Sequence, residues 1–335
     1  MSNNRDALLQ PDRIEADEWS ALGRNAVWIG PANAMPPTGV QSVLIGVDAD
    51  GTLDCCAPDA VDVLLTSRAD APAPWVSIAE DRLATHVDGL SSAVQNHPFA
   101  ATLLARTLRL TESLPITQAL DVESLAYSTL LGGAEFRAWR TLQSPSIAAP
   151  KSNTDFLVVT REDDGVTISL NDPERSNAMT AEMRDALYGA LVNILEDPSA
   201  PTVRLSGIGR CFSTGGYLPE FGSAQDLAKA HVVRTLHSCA KVLHELGDRV
   251  SVHLHGACIG SGIEVPTAAH YRTAAPGAWF QLPELSMGLI PGAGGTVFLP
   301  RAIGRHRTAW MALSGKKITA KQALSMSLIH AITRE

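Results

Sequence analysis

Residues 251–300 read SVHLHGACIGSGIEVPTAAHYRTAAPGAWFQLPELSMGLIPGAGGTVFLP, and this stretch decides the fold. An apolar segment at residues 250–254 predicts a strand, and glycines at positions 256, 260 and 262 then surround Ser261. Glycines so close together let the backbone turn sharply and approach a ligand. Residues 263–269 predict the start of a helix. The N–H of Ser261 is therefore expected at a helix N-terminus, where free N–H groups favour negative oxygen.

Two carboxylates bracket the next segment of the chain. Glu264 lies in the predicted helix, and Glu284 lies in a loop just after the strand-like pair Trp279 and Phe280. A polarising N–H together with two carboxylates can serve proton transfer next to a carbonyl. Glycine pairs and glutamates are each common in proteins. The interpretation therefore depends on the order and spacing of these residues over the whole stretch.

The stretch as a whole resembles the crotonase (enoyl-CoA hydratase/isomerase) superfamily. Residues 260–264 (GSGIE) are similar to the family's G-G-G-x-E turn, and residues 280–284 (FQLPE) to its x-F-x-x-P-E loop. Residues 288–296 (GLIPGAGGT) match the family's G-L-I-P-G-A-G-G-T. The resemblance covers residues 155–332. It implies a crotonase-like α/β domain built of turns of a ββα superhelix over residues 155–335.

Two upstream segments extend the resemblance. Residues 207–218 (GIGRCFSTGGYL) are similar to the family's G-x-G-x-x-F-S/C-A-G-A-D-L, and residues 171–179 (NDPERSNAM) to its R-P-x-x-x-N-A-L/M segment near bound coenzyme A. The resemblance implies an oxyanion hole formed by the N–H groups of Gly216 and Ser261. It departs from the pattern at Tyr217, where Asp is usual, and at Ser261, where Gly is usual. The residues it implies for substrate binding are Arg175, Ala178, Tyr217, Leu218, Gly260, Pro291 and Gly292.

The resemblance also implies an activity. An acyl-CoA enzyme of this kind stabilises a thioester enolate, and Glu264 would activate water for attack on Cβ while Glu284 exchanges a proton with Cα. The leading expectation is hydration of 2-enoyl-CoA to 3-hydroxyacyl-CoA. Enoyl-CoA isomerisation, for which the carboxylate at Glu284 often suffices, and acyl-CoA hydrolysis or C–C cleavage stay open. An alternative of another class is a non-catalytic assembly protein. Coenzyme A is then part of the substrate, and no separate cofactor is expected.

Composition excludes several other classes. The 335 residues are 45% hydrophobic and 19% charged with a formal net charge of −8, which argues against a nucleic-acid partner. No apolar run approaches the length of a membrane span, and the N-terminus has no apolar signal region, so we expect a cytoplasmic protein. The cysteines form no CxxC or Cys/His pattern and the histidines have no metal-site spacing, so no metal is expected.

The N-terminal half is predicted to hold a loosely ordered lead-in over residues 1–40 and a smaller α/β region over residues 41–145. A Pro-containing linker at residues 144–154 separates it from the catalytic domain. Strands are predicted at residues 42–47, 61–65 and 75–78. Helical stretches are predicted at residues 82–110 and 116–131, with interruptions at Pro98 and Pro115, and further helices at residues 227–246 and 301–313.

Residues 96–140 are similar to the helical tail that follows the catalytic motifs in crotonases. The resemblance implies that this segment caps the catalytic domain and mediates self-association, as a trimer or a dimer of trimers. The region would then be a shortened second crotonase-like unit without site motifs. An unrelated α/β appendage is the alternative.

Overall fold

The computed structural model describes residues 16–143, 155–162 and 165–334. The predicted linker at residues 144–154 lies outside this range. Within it, a small N-terminal sheet with four helices precedes a larger C-terminal α/β region.

The N-terminal sheet has four parallel strands in sequence order. They are β1 (Val27–Pro31), β2 (Val43–Asp48), β3 (Val63–Thr66) and β4 (Val76–Ser77). Every residue of β3 is buried. Near-continuous apolar strands of this kind are expected where both faces of a parallel sheet are covered.

The first strand corrects the expectation of a loosely ordered lead-in over residues 1–40. Residues Val27–Pro31 pair in register with β2, from Val27 opposite Val43 to Pro31 opposite Val47. The sequence pattern misses β1 because its apolar run is short and lies between polar, Pro-containing segments. The hydrogen bonds that stabilise it come from another strand, which is not visible in the local pattern.

Four helices follow the N-terminal sheet. They are α1 (Glu80–Asn96), α2 (Pro98–Thr111), α3 (Ile116–Leu131) and α4 (Ala134–Leu142). Pro98 is the first residue of α2 and Pro115 the N-cap residue of α3. Proline is tolerated at a helix start because the N–H that it lacks has no partner within the helix there. These prolines therefore set where the helices begin.

The C-terminal region contains two sheets. Its strands are β5 (Leu157–Glu162), β6 (Gly165–Leu170), β7 (Thr202–Gly207), β8 (Val250–Leu254), β9 (Ala257–Ile259), β10 (Tyr271–Ala274), β11 (Trp279–Gln281), β12 (Ile318–Thr319) and β13 (Ala331–Ile332). Six of them form a sheet in the order β13-β10-β8-β7-β6-β5, in which only β5 and β6 pair antiparallel. The other three form a sheet in the order β12-β11-β9.

Seven helices pack around these sheets in the described part of the chain. They are α5 (Ala181–Leu195), α6 (Leu227–Leu236), α7 (Cys239–Glu245), α8 (Ser261–Thr267), α9 (Gly295–Ile303), α10 (Arg305–Ser314) and α11 (Ala320–Ser325). Two predicted helices are each divided. Residues 227–246 form α6 and α7, because the Ser238 side chain accepts from the N–H of Lys241 and caps a new helix. Residues 301–313 fall in α9 and α10, separated at Gly304 with φ of 86°.

The two regions share one hydrophobic core, whose buried residues run from Ala26 to Ile329 and include residues of α2, α3, α9 and α10. Three arginines of α9 and α10 donate across the boundary to backbone carbonyls. These bonds are Arg301 to Thr111 and Leu114, Arg305 to Val61, and Arg307 to Ala71 and Trp75, at 2.8–3.0 Å. The N-terminal region therefore packs together with the C-terminal region around one core.

Candidate active site

A cavity of about 730 Å³ brings together residues from both regions of the chain. One wall is α3, another is α6 with the loop before it, and the floor includes the first turn of α8. Six of the residues singled out from the sequence line it, namely Gly216, Tyr217, Ser261, Glu264, Glu284 and Gly292. The motifs that are separated in sequence therefore meet at one cavity.

Glu264 is held at this cavity by backbone N–H groups at the start of α9. Its Oε2 accepts hydrogen bonds from the N–H of Ala293 at 2.8 Å and of Gly295 at 3.1 Å. The residue is 3% exposed. Both bonds are to Oε2, so Oε1 takes part in neither of them.

Glu284 lies opposite Glu264 at the start of a short 3₁₀ helix, Glu284–Met287. A Cβ on Gly260 would lie 2.6 Å from Oε1 of Glu284 and 3.9 Å from Oε1 of Glu264. Gly260 also has φ of 50°, which side chains rarely adopt. Only glycine therefore leaves room for the Glu284 carboxylate beside Glu264. The Oε2 atom of Glu284 is buried and accepts no hydrogen bond from any residue in the described ranges.

Burial changes the protonation of both carboxylates. Burial raises the pKa of Glu284 to about 8, and the charge of Glu123 adds to this increase. Burial, followed by the charges of Glu284 and Glu123, raises the pKa of Glu264 well above its ordinary value, against the opposing effect of its two N–H donors. Near neutral pH the pair can therefore hold a proton, which is what an acid and base pair needs.

Glu123 is a third buried carboxylate, and it comes from α3 in the N-terminal region. Its oxygens accept from the N–H of Gly294 at 2.7 Å and from the N–H and hydroxyl of Thr296 at 2.8 and 2.7 Å. Burial raises its pKa to about 7. The sequence analysis includes Glu123 only in the tail-like segment and not among the site residues.

Glu123 and Glu264 share four consecutive backbone N–H groups. Those of Ala293 and Gly295 donate to Glu264, and those of Gly294 and Thr296 donate to Glu123. The alternation clamps residues 293–296 between a carboxylate from each region. Glu123 is therefore a positioning residue for the segment that orients Glu264.

Replacing Glu123 by Ala is expected to lower the free energy of unfolding by at least about 2 kcal/mol, because two buried N–H groups lose their acceptor. Turnover should fall as well, since Glu264 depends on the same segment. Urea unfolding and steady-state kinetics measure the two effects. Asp121→Ala on the same helix is the matched control, because the Asp121 side chain accepts no hydrogen bond from the described residues. This substitution should change the free energy of unfolding by less than about 0.5 kcal/mol.

Gly216 and Ser261 both line the cavity. The flanking bonds from Met179 N to Gly215 O at 2.7 Å and from Tyr217 N to Met179 O at 3.0 Å hold the Gly216 peptide in place. Ser261 is the first residue of α8, where no acceptor within the helix is available. Neither N–H donates to a protein acceptor within the residues that the structure describes.

The other sequence-predicted residues lie beside the cavity rather than on its wall. Arg175 forms an ion pair with Asp172 at 2.9 Å, and its guanidinium lies 5.8 Å from the centre of the Tyr217 ring. Gly260 makes room for Glu284. Ala178 and Pro291 are buried, and Leu218 is 46% exposed. Any contact of these residues with a substrate stays a prediction.

Tyr127 and Arg234 also line the cavity, and the sequence analysis misses both as site residues. A Cβ on Gly292 would lie 2.4 Å from the Tyr127 ring. Because glycine has no Cβ, the ring can pack directly against the loop that contains Gly292. The Arg234 guanidinium lies 4.5 Å from the centre of the same ring. The apolar pattern of α3 indicates a buried face but cannot indicate which loop that face contacts.

The C-terminal region matches a known family. A model of the family described as enoyl-CoA hydratase/isomerase matches residues 161–335, so the chain belongs to this family. This confirms the resemblance drawn from the motifs. The matched part begins after the N-terminal region.

Curated relatives agree with this assignment. The YngF protein of Bacillus subtilis (strain 168), which carries the name enoyl-CoA hydratase/isomerase, is 31% identical over 179 residues, covering 53% of this chain and 69% of that protein. The fatty acid oxidation complex subunit alpha of Shewanella sp. (strain ANA-3) is 33% identical over 180 residues, which is 52% of this chain but 25% of that protein. The chain thus spans a quarter of the length of this second relative.

Solved structures confirm the crotonase-like fold. The enoyl-CoA hydratase from Thermoplasma volcanium GSS1 is 30% identical and covers 54% of this chain and 72% of its own, with a TM-score of 0.50. The enoyl-CoA hydratase from Bacillus anthracis is 29% identical and covers 53% and 70%, also with a TM-score of 0.50. Together, the family and its relatives support the processing of acyl-CoA by this chain.

The residues that the structure describes contain neither a membrane-spanning helix nor a metal-binding cluster. No helix there combines the length and apolar character needed to cross a bilayer. No group of three or more His, Cys, Asp or Glu side chains in the same residues is arranged to hold a metal ion, and the three buried glutamates are included in this statement.

Proposed function

We propose that this protein hydrates 2-enoyl-CoA esters to 3-hydroxyacyl-CoA. The observation that carries the proposal is the meeting of Glu264 and Glu284 at one cavity that also holds the peptide groups of Gly216 and Ser261. A single carboxylate would be enough for moving a proton between carbons. Two carboxylates with raised pKa values suit a reaction that needs both water activation and proton exchange.

The chemistry follows from the charge that develops on the thioester oxygen. In the proposed mechanism the N–H groups of Gly216 and Ser261 stabilise the enolate oxygen, a donor pair of which each member contributes about 3 kcal/mol to lowering the barrier. Glu264 activates the water that attacks Cβ, and Glu284 delivers a proton to Cα. The two carboxyls act as one titrating unit because they are close and buried.

Isomerisation of enoyl-CoA is the second candidate function. Glu284 favours it, because its Oε2 accepts no hydrogen bond in the described part of the chain and is therefore available to a substrate proton. Hydrolysis, C–C cleavage and a non-catalytic assembly role gain no separate support from the geometry of this cavity.

The test of the proposal is a panel of 2-enoyl-CoA and 3-enoyl-CoA esters followed by enoyl absorbance, with thermal unfolding in coenzyme A as the binding control. A hydratase removes the absorbance of 2-enoyl esters, whereas an isomerase generates it from 3-enoyl esters. Thermal stabilisation by coenzyme A without any change in absorbance would support the assembly role and contradict hydration.

The raised pKa of Glu284 predicts how stability depends on pH. Its folded pKa of about 8 lies above the unfolded value near 4.5, so its contribution to stability is full below pH 4.5 and is lost as the pH rises through 8. Burial lowers the pKa of His86 from its ordinary value of 6.5 to about 4. This group therefore makes the protein more stable as the pH rises, but only up to about pH 6.5. Between about pH 6.5 and 8 the free energy of unfolding should therefore fall.

Urea unfolding at several pH values measures this slope, and Glu284→Gln is the matched control because it cannot ionise. The variant should show a smaller decrease across the same interval than the unsubstituted protein. Equal slopes for the two proteins would mean that Glu284 ionises at its ordinary pKa.

A further inference from the structure

Arg234 places a positive charge in the wall of the cavity that holds the buried carboxylates. Two other cations line it, Arg184, which is paired with Asp185 at 2.8 Å, and the exposed Lys229. Arg234 lies on α6, which packs against α3, and its side chain lines the same cavity as Glu264 and Glu284. An arginine keeps its charge in proteins, so this cation is permanently present beside the acyl-binding space of the proposed reaction.

No carboxylate neutralises this guanidinium at close range. Among the residues that the structure describes, no Asp or Glu oxygen lies within 4.0 Å of an Arg234 nitrogen. Glu123 is attracted to it electrostatically, but the oxygens of Glu123 are engaged by Gly294 and Thr296. Burial lowers the pKa of Arg234, against the opposing effects of Tyr127 and Glu123. Such a group is costly to bury unless a ligand supplies the missing negative charge.

The hydrogen bonds of Arg234 leave one edge of its guanidinium group without an acceptor among the described residues. Its hydrogen bonds to described residues all involve Nη1, which donates to the carbonyl of Ser124 at 3.3 Å and to the hydroxyls of Ser124 and Ser128 at 2.8 and 3.1 Å. Nε and Nη2 donate to no residue in the described ranges. These two nitrogens form the edge that binds a carboxylate through two parallel bonds.

Tyr127 fixes the plane of this guanidinium. The ring lies under it at 4.5 Å from the guanidinium carbon to the ring centre, so one face of the cation is occupied. The serine bonds prevent rotation about the side-chain axis. An arginine held by a ring and by three bonds on one nitrogen is already oriented for a planar acceptor, which lowers the entropy cost of binding one.

We propose that Arg234 binds a carboxylate at the end of the substrate's acyl group remote from the thioester. The preferred substrates are then mono-CoA esters of unsaturated dicarboxylic acids. This inference rests on the proposed function for the identity of the ligand as an acyl-CoA. It adds the chemical class of the acyl group.

Binding of unreactive saturated esters tests the inference without relying on turnover. Titration calorimetry compares glutaryl-CoA with pentanoyl-CoA and adipyl-CoA with hexanoyl-CoA, pairs that match in carbon number and differ in the terminal carboxylate. The protein should bind at least one dicarboxylic ester about tenfold or more tightly than its partner, as expected of a charge-assisted bidentate contact. Arg234→Met should abolish this preference while binding of the monocarboxylic esters changes little.

Two further variants separate specificity from a structural role. Lys229→Met removes an exposed cation from the same wall and should leave the preference intact. Arg234→Gln retains side-chain hydrogen-bond donors and replaces Arg234→Met in the test if that variant does not fold. This variant should also lose the preference for dicarboxylic esters. Equal affinity for both members of every pair, a preference that persists in the Arg234 variants, or an equal loss of both classes of ester would overturn the inference.

The same experiment distinguishes this inference from the proposed function. If the dicarboxylic preference is present but no enoyl ester is hydrated, hydration is wrong and Arg234 still selects the acyl group. If esters are hydrated without any preference, the inference is wrong and hydration stands.

Discussion

Glu264→Gln and Glu284→Gln are each expected to lower the turnover of a 2-enoyl-CoA by between about 10²-fold and 10⁴-fold. Each substitution retains the shape of the side chain but removes the ability to exchange a proton. The side-chain oxygen of the glutamine in Glu264→Gln can still accept from the N–H groups of Ala293 and Gly295, so the backbone there should not move. The loss should therefore appear in kcat, while the affinity for coenzyme A esters stays nearly unchanged.

Steady-state kinetics with calorimetry of a saturated ester separates these quantities. Ser286→Ala is the control, because Ser286 lies in the same short helix as Glu284 with its hydroxyl bonded only locally to the carbonyl of Pro283 at 2.7 Å. The control should retain turnover within a few-fold. Near-normal turnover in either glutamine variant would remove that carboxylate from the mechanism.

Removing residues 1–150 is expected to abolish activity and most solubility. The cavity would lose the wall that Leu120, Glu123 and Tyr127 form, and the N–H groups of Gly294 and Thr296 would lose their acceptor. The apolar surfaces of α9 and α10 that pack against α1 and α2 would also become exposed to water. A newly exposed apolar patch of this kind promotes association.

Sedimentation and enoyl-CoA turnover of a chain that begins at Lys151 measure this effect. Producing residues 1–150 together with it as a separate chain is the control and should restore soluble, active protein, because the two regions meet through side chains rather than through the linker alone. If the shortened chain is soluble and fully active by itself, the N-terminal region is a dispensable appendage. Self-association as a trimer stays a prediction, which the same sedimentation measurement of the full chain tests.

The sequence predicts the C-terminal region well because its signals are local. The strand at Val250–Leu254, the glycine turn around Ser261 and the loop that carries Glu284 depend on residues within a few positions of each other. The family motifs also place Gly216, Glu264 and Glu284 in one cavity, where the structure has them. Their roles in catalysis stay predictions.

The N-terminal contribution to the site is less predictable because it depends on distant contacts. Glu123 precedes Thr296, which donates hydrogen bonds to it, by 173 positions, and the other donor is a backbone N–H group that no side-chain pattern reveals. A glutamate in a helix is ordinarily exposed, yet Glu123 is 2% exposed. Arg234 is likewise recognisable as part of the site only once α6 and α3 are packed together.

The most direct test of the account is isotope incorporation from water during turnover of crotonyl-CoA and glutaconyl-CoA. Hydration predicts one water-derived oxygen at Cβ and one water-derived hydrogen at Cα of each product, measured by mass spectrometry in oxygen-labelled water and in deuterium oxide. Both labels should disappear together in Glu264→Gln and Glu284→Gln. Exchange of hydrogen at Cα without any labelled oxygen at Cβ would contradict hydration and favour isomerisation at Glu284.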